Sequence, residues 1–233
     1  SLPTAGVSEG SQMLQRAGRY GDAYAEMKGD GLMAFTDEGT LFRAVSPTPG
    51  TGIAQNITAA FSATDGIFTL RNSDAAGRKR IYPVYVRLIS TVVPASAVRS
   101  EALVAVDSIT RYSSGGSALT ARNVNMDSAV AAVGVAHFGA LTLAAESGNV
   151  RRVSRFQLRA AIPVQFEEFM ITFLGPYGYG ALALGGTTAQ RNVVDAGPVC
   201  LGPVNHTMSV HAWHPSNATT PASWEVEACW IER

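Results

Sequence analysis

The clearest alternation of apolar and polar positions lies near the end of the chain. Between Asn205 and His214, Met208, Val210 and Ala212 take the even positions, and Thr207, Ser209, His211 and Trp213 the odd ones. A period of two predicts a strand with one buried face. Beyond the turn-forming run Pro215-Ser216-Asn217-Ala218-Thr219-Thr220-Pro221, Trp224, Val226, Ala228 and Trp230 oppose Glu225, Glu227 and Cys229. Together the two runs read as an antiparallel hairpin that closes a sheet.

Upstream, β-branched and aromatic runs predict strands at 40–45, 57–61, 66–70, 81–93, 101–109, 152–159 and 169–174. Pro83 supplies no N–H, so it demotes the start of the fourth run to an edge or a bulge. Ser113-Ser114-Gly115-Gly116-Ser117, Asn123-Val124-Asn125-Met126-Asp127-Ser128 and Gly175-Pro176-Tyr177-Gly178-Tyr179-Gly180 read as loops. Residues 129–145, rich in Ala and Val with Gly134 and Gly139, fit a broken helix or two short strands; the surroundings favour strands.

Residues 1–36 are different. Met13, Leu14, Ala17, Tyr20, Tyr24 and Met27 fall near a helical stripe, interrupted by Gly18 and Gly21, each costing up to about 1 kcal/mol against Ala. A short helix in an irregular arm is expected, reaching onto a neighbouring subunit or lying across its own sheet. The predicted organisation is an N-terminal arm, 1–36, and one domain, 37–233. Short strands between Gly, Pro, Asn and Ser turns, without a βα repeat, make the expected fold all-β: an antiparallel jelly-roll-like β-sandwich.

Composition sharpens this picture in one respect. Only 15% of the 233 residues are charged, against roughly 25% in an ordinary soluble domain. Such a surface suits a subunit covered by neighbours. The net charge of zero argues against a dedicated polyanion binder or a polybasic membrane anchor. No apolar run approaches the roughly 18 residues of a membrane span. Starting at Ser1 with no leader pattern, the chain is expected to be trimmed only of its initiator Met, with both ends held by contacts.

Candidate chemistry is thin. His206, His211 and His214 cluster in sequence, yet on a strand His206 and His214 would stand about 26 Å apart, with His211 on the other face; His137 could join only one of them. No shared metal ion is expected. Adjacent Glu167 and Glu168 face opposite ways, and Glu225 with Glu227 sits on a polar face, so neither pair reads as an acid and base across a cleft. Nucleophile, phosphate-loop, metalloprotease and C-x-x-C signatures are absent. No catalytic residue, metal or cofactor is expected. Cys200 and Cys229 admit one disulfide but read as two free, buried thiols in a reducing cytosol. Arg78-Lys79-Arg80 and Arg151, Arg152, Arg155 and Arg159 gather positive charge; at zero net charge they fit intersubunit carboxylates better than nucleic acid. Tyr177 and Tyr179 offer platforms for sugars.

Three phrases are idiosyncratic: Ile81-Tyr82-Pro83-Val84-Tyr85-Val86-Arg87-Leu88-Ile89, Arg111-Tyr112-Ser113-Ser114-Gly115-Gly116-Ser117-Ala118-Leu119-Thr120, and Asn123-Val124-Asn125-Met126-Asp127-Ser128. With Gly202-Pro203 and Trp224-Glu225-Val226, they resemble uncharacterised structural proteins of tailed bacteriophages from about residue 66 onward. The resemblance implies a non-enzymatic virion component, a capsid decoration or cement protein, and transfers no catalytic residue. The expected partners are further copies of the chain, as a trimer, and the major capsid protein, with no membrane and no nucleic acid. The expected location is the virion, assembled in the host cytoplasm. The alternative is a glycan-binding jelly-roll module on a fibre or spike.

Overall fold

The computed structural model describes residues 15–17, 23–25, 31–54, 56, 58–92, 100–159, 167–173, 191–215 and 223–233; only the backbone is described for 15–17, 23–25, 31, 158–159 and 191–192. Two short strands, β1 (Gln15–Ala17) and β2 (Ala23–Ala25), pair antiparallel. Helix α1 (Gly31–Asp37) precedes β3 (Leu41–Val45), β4 (Ile53–Ala54), β5 (Asp65–Asn72) and β6 (Ile81–Val92). Then come β7 (Ser100–Asp107), β8 (Tyr112–Leu119), β9 (Arg122–Asn123), β10 (Gly134–Leu143) and β11 (Arg151–Arg159). The last four are β12 (Glu168–Thr172), β13 (Arg191–Asp195), β14 (Thr207–Trp213) and β15 (Ser223–Glu232).

The architecture is an all-β sandwich. One sheet runs β11-β7-β14-β5-β10-β8 and the other β13-β12-β6-β15-β3-β9, with β4 also on β15. Among these pairs only β12 with β13 is parallel. Four antiparallel pairs are nested in sequence: β5 with β14, β6 with β12, β7 with β11, and β8 with β10. Nested pairing is what a jelly roll requires, but here the innermost pair lies beside β5 in the same sheet. In addition, β15 and β3 widen the other sheet. Between the sheets Phe68, Leu70, Val104, Phe138, Met208 and Val210 meet Phe42, Leu88, Phe169, Trp224, Val226 and Trp230.

Alternation correctly places the apolar sides of β14 and β15 in this core, but the two strands do not form a hairpin. Each is central, β14 between β7 and β5, and β15 between β6 and β3. They face one another across the core because each has an apolar side to bury and a sandwich buries such sides between sheets. The polar side of β14 is covered as well, with all seven residues buried.

Other expectations are corrected too. The described residues from 58 to 61 are not strand; the strand falls earlier, at β4, and Phe61 packs on the outside of the six-stranded sheet. Within the expected 13–27 helix the described residues form β1 and β2, and the helix is α1, which runs through the predicted boundary at residue 36. Gly39 ends it in the left-handed region, φ 66°, where glycine is favoured. Leu32 and Phe35 cover Leu41, Tyr85, Cys229 and Ile231 on the outer face of the seven-stranded sheet.

The Ser-Gly run at 113–117 is strand, not loop. It pairs with β10 where that strand's register shifts between Phe138 and Leu141. A Cβ on Gly115 or Gly116 would collide with the Ala140 or Phe138 carbonyl, so glycine permits the approach. Residues 134–143 form one bulged strand, not two. Pro83, in central β6, sits at the register shift opposite Cys229 and Trp230, which fits the bulge reading and removes the edge reading. The loop at 175–180, with Tyr177 and Tyr179, lies outside the described residues, as does most of 215–221.

Candidate functional site

Two loops roof the outer face of the six-stranded sheet, and a buried ion pair holds both. Asp107, at the end of β7, accepts from the Ser108 amide at 2.7 Å, the Ser147 amide at 2.9 Å and the Ser147 hydroxyl. Arg111 Nη1 reaches it at 3.3 Å, and Nη2 donates to the Ala63 carbonyl. Their side chains are 2% and 1% exposed. Burial pushes the Asp107 carboxyl up, but the bonds from Ser147, Ser108 and Arg111 outweigh it and hold the group below its ordinary value. Asp107 therefore ties down the loop at 144–150 and, through Arg111, the loop at 58–64.

Beneath this roof lies a serine–histidine pair. His211 Nδ1 stands 2.7 Å from the Asp65 carbonyl, which only accepts, so Nδ1 carries the proton and Nε2 accepts from the Ser209 hydroxyl at 2.9 Å. A base activating a nucleophile is oriented this way. Here the two residues are 2% and 1% exposed, so no substrate reaches them and the pair is a structural link. His214 is likewise buried, 2.9 Å from Ser100 Oγ.

Burial pushes the His211 imidazole below its ordinary value, only partly opposed by the bond to Asp65. Between the folded and unfolded values the unfolded chain binds the extra proton, so this contribution to stability is present above about pH 6.5 and is lost progressively as pH falls from there to the lower folded value. The urea midpoint is expected to fall from pH 7.5 to 5.5, and His211→Gln, though less stable at neutral pH, is expected to show a shallower fall. An equal slope in both proteins would contradict this assignment.

Beside the roof a groove of about 580 Å³ opens along the β11 side, lined by Ala59, Ala60, Phe61, Glu101, Leu103, Arg152, Arg155, Trp213 and Pro215. Phe61 meets Trp213 edge-on at 5.6 Å and His211 at 5.3 Å. The Arg152 guanidinium lies 4.8 Å from the Phe61 ring and that of Arg155 5.6 Å from Trp213. Buried Glu101 accepts from Arg155 Nη2 at 2.5 Å, and Glu146 from Arg152 Nη2 at 3.0 Å. Strict alternation would put Arg152 and Arg155 on opposite faces. A register shift between Arg152 and Ser154 brings both into the groove.

The other singled-out residues are dispersed. His206 accepts from the Gly202 amide at 3.2 Å, while His137 stacks on Tyr112 at 3.6 Å. Among the described residues no three of His, Cys, Asp and Glu are grouped to hold a metal ion. Glu227 accepts from Tyr85 and Arg87, and Glu168 stands 3.9 Å from Arg87. Lys79 reaches Glu232 at 3.4 Å, so the 78–80 run is partly engaged internally. Both cysteines are free thiols, but only Cys229 is buried as expected; Cys200 is exposed, and burial pushes the Cys229 thiol up to about 11. No described helix is long and apolar enough to cross a membrane.

What fold and groove define is a β-sandwich with a preformed arginine–aromatic cleft on one outer face. The chain matches no family model, no curated protein and no solved structure.

Proposed function

We infer that this chain is a non-enzymatic structural subunit of a virion, a capsid decoration or cement protein that associates with itself and with the major capsid protein. The observation that carries the reading is the surface. On a chain with 15% charged residues, Met33, Val45, Val92, Met126, Val193 and Val204 are each about half exposed or more. A surface so apolar and so poorly charged is consistent with coverage by neighbours. The histidines and carboxylates of the roof hold the fold together, which favours a scaffold over a catalyst. The tailed-phage phrases support the virion part, and symmetric repetition of modest contacts supplies durability.

Sedimentation velocity across a concentration series tests the reading, with a trimer expected, alongside a search for the chain in purified particles. A chain that stays monomeric at high concentration and is missing from particles overturns it.

A further inference from the structure

Resting on the self-association inferred above, two surfaces of the chain are shaped to meet. Opposite the groove, the loop at 123–130 is held rigid by its own side chains. Asn123 Oδ1 accepts from the Asn125 amide at 2.9 Å and Asn125 Oδ1 from the Asp127 amide at 3.0 Å. Asn123 Nδ2 donates to the Gly39 carbonyl at 2.8 Å, and Asn125 Nδ2 reaches the Asp37 carbonyl at 3.4 Å, fastening the loop to the end of α1. At its tip Met126 is 97% exposed, and Val130 and Met33 on the same two segments are exposed as well. The backbone order does not bury the methionine; it presents it.

Knob and groove stand on opposite sides of the sandwich. A Cβ on Gly134 would lie 2.6 Å from Trp230 Nε1, so β10 lies over β15, and Asn72 of β5 donates to the same Leu201 carbonyl as the Ile81 amide of β6, so β5 lies over β6. The β8 and β9 edges therefore share one side, and β11 marks the other. Exposed charge divides the same way: β11 carries Arg151, Arg152 and Arg155, of which Arg152 and Arg155 also meet Glu146 and Glu101, whereas the knob segments carry Asp37, Asp127 and Glu38, the last paired with Arg233 at 2.9 Å. Arg152 and Arg155 side chains are 52% and 66% exposed. Each guanidinium has five N–H donors, and the bonds to Glu146 and Glu101 occupy one edge.

We propose that Met126 and Asp127 of one copy dock in the Phe61–Trp213–Arg152–Arg155 groove of the next. The thioether lies against the aromatic rings and the carboxylate between the outward edges of the guanidiniums. Such a contact is head-to-tail: it closes into a ring if the rotation per subunit allows and otherwise continues as a chain.

The test uses two variants, each with one half of the contact removed. Met126→Ser with Asp127→Lys removes the knob, and Arg152→Glu reverses charge in the groove. Both change exposed side chains, and unchanged melting temperatures confirm folding. Each variant alone is expected to associate at least tenfold more weakly than the parent chain. Mixed one to one, they are expected to form a heterodimer and stop there, because one good knob meets one good groove. If the parent associates but either variant does so equally, or the mixture gives no dimer, the docking geometry is overturned while self-association stands. If the parent is monomeric throughout, both fall.

Discussion

Asp107→Ala is expected to destabilise the protein by about 3–5 kcal/mol, the range for removing one partner of a buried ion pair. Arg111, 1% exposed, would be left with its charge uncompensated, and the Ser108 and Ser147 amides would lose their acceptor. At roughly 2–4 °C per kcal/mol for a chain of this size, the melting temperature should drop by about 6–20 °C. Replacing both partners, as Asp107→Leu with Arg111→Met, should cost less than the single change, because the stranded charge is then gone. A double variant as unstable as the sum of the singles would show that the pair does not act as a unit. The damage should also be local: amide exchange in the 58–64 and 144–150 loops should quicken first, since Arg111 and Asp107 are their anchors.

That network marks the limit of what the sequence reveals. Alternation assigns the core side of β14 and β15 correctly, because on a strand a residue's parity is its face. Parity does not say which strand lies alongside, so it suggests pairing consecutive β14 and β15 although they occupy different sheets. Ser113-Ser114-Gly115-Gly116-Ser117 reads as a loop for its flexible residues. Only the bulge in β10 opposite explains why a strand needs two glycines there.

The groove was half legible. Arg152 and Arg155 stood out as a positive cluster, but their common face depends on a one-residue register shift. Their aromatic partners, Phe61 and Trp213, come from segments about 90 and 60 residues away on either side. Asp107 falls inside the expected strand 101–109, and nothing in the local pattern separates a carboxylate that anchors two loops from one in water. The available signal was a lone Asp at the end of an apolar strand with an Arg four residues on.

In the facing sheet, Glu232→Gln of β15 is also expected to be costly, at about 2–4 kcal/mol despite the matched shape, the scale for leaving buried donors unsatisfied. The Glu232 side chain is fully buried and faces only donors. It receives the Val133 amide at 2.9 and 3.0 Å, the Gly134 amide at 2.8 Å and Trp230 Nε1 at 2.9 Å. A carboxylate is acceptor-only and suits this ring of N–H groups; an amide must turn its NH₂ toward one of them and leave donors unsatisfied. Lys79, 31% exposed and 3.4 Å away, is a minor partner, so Lys79→Met should cost under about 1 kcal/mol. Urea denaturation separates the two. The indole N–H resonance of Trp230 should move in Glu232→Gln and stay close to its original position in Lys79→Met. If Lys79→Met proved as damaging as Glu232→Gln, then ion pairing, and not the capping of β10's first amides, would be what holds this carboxylate in the core.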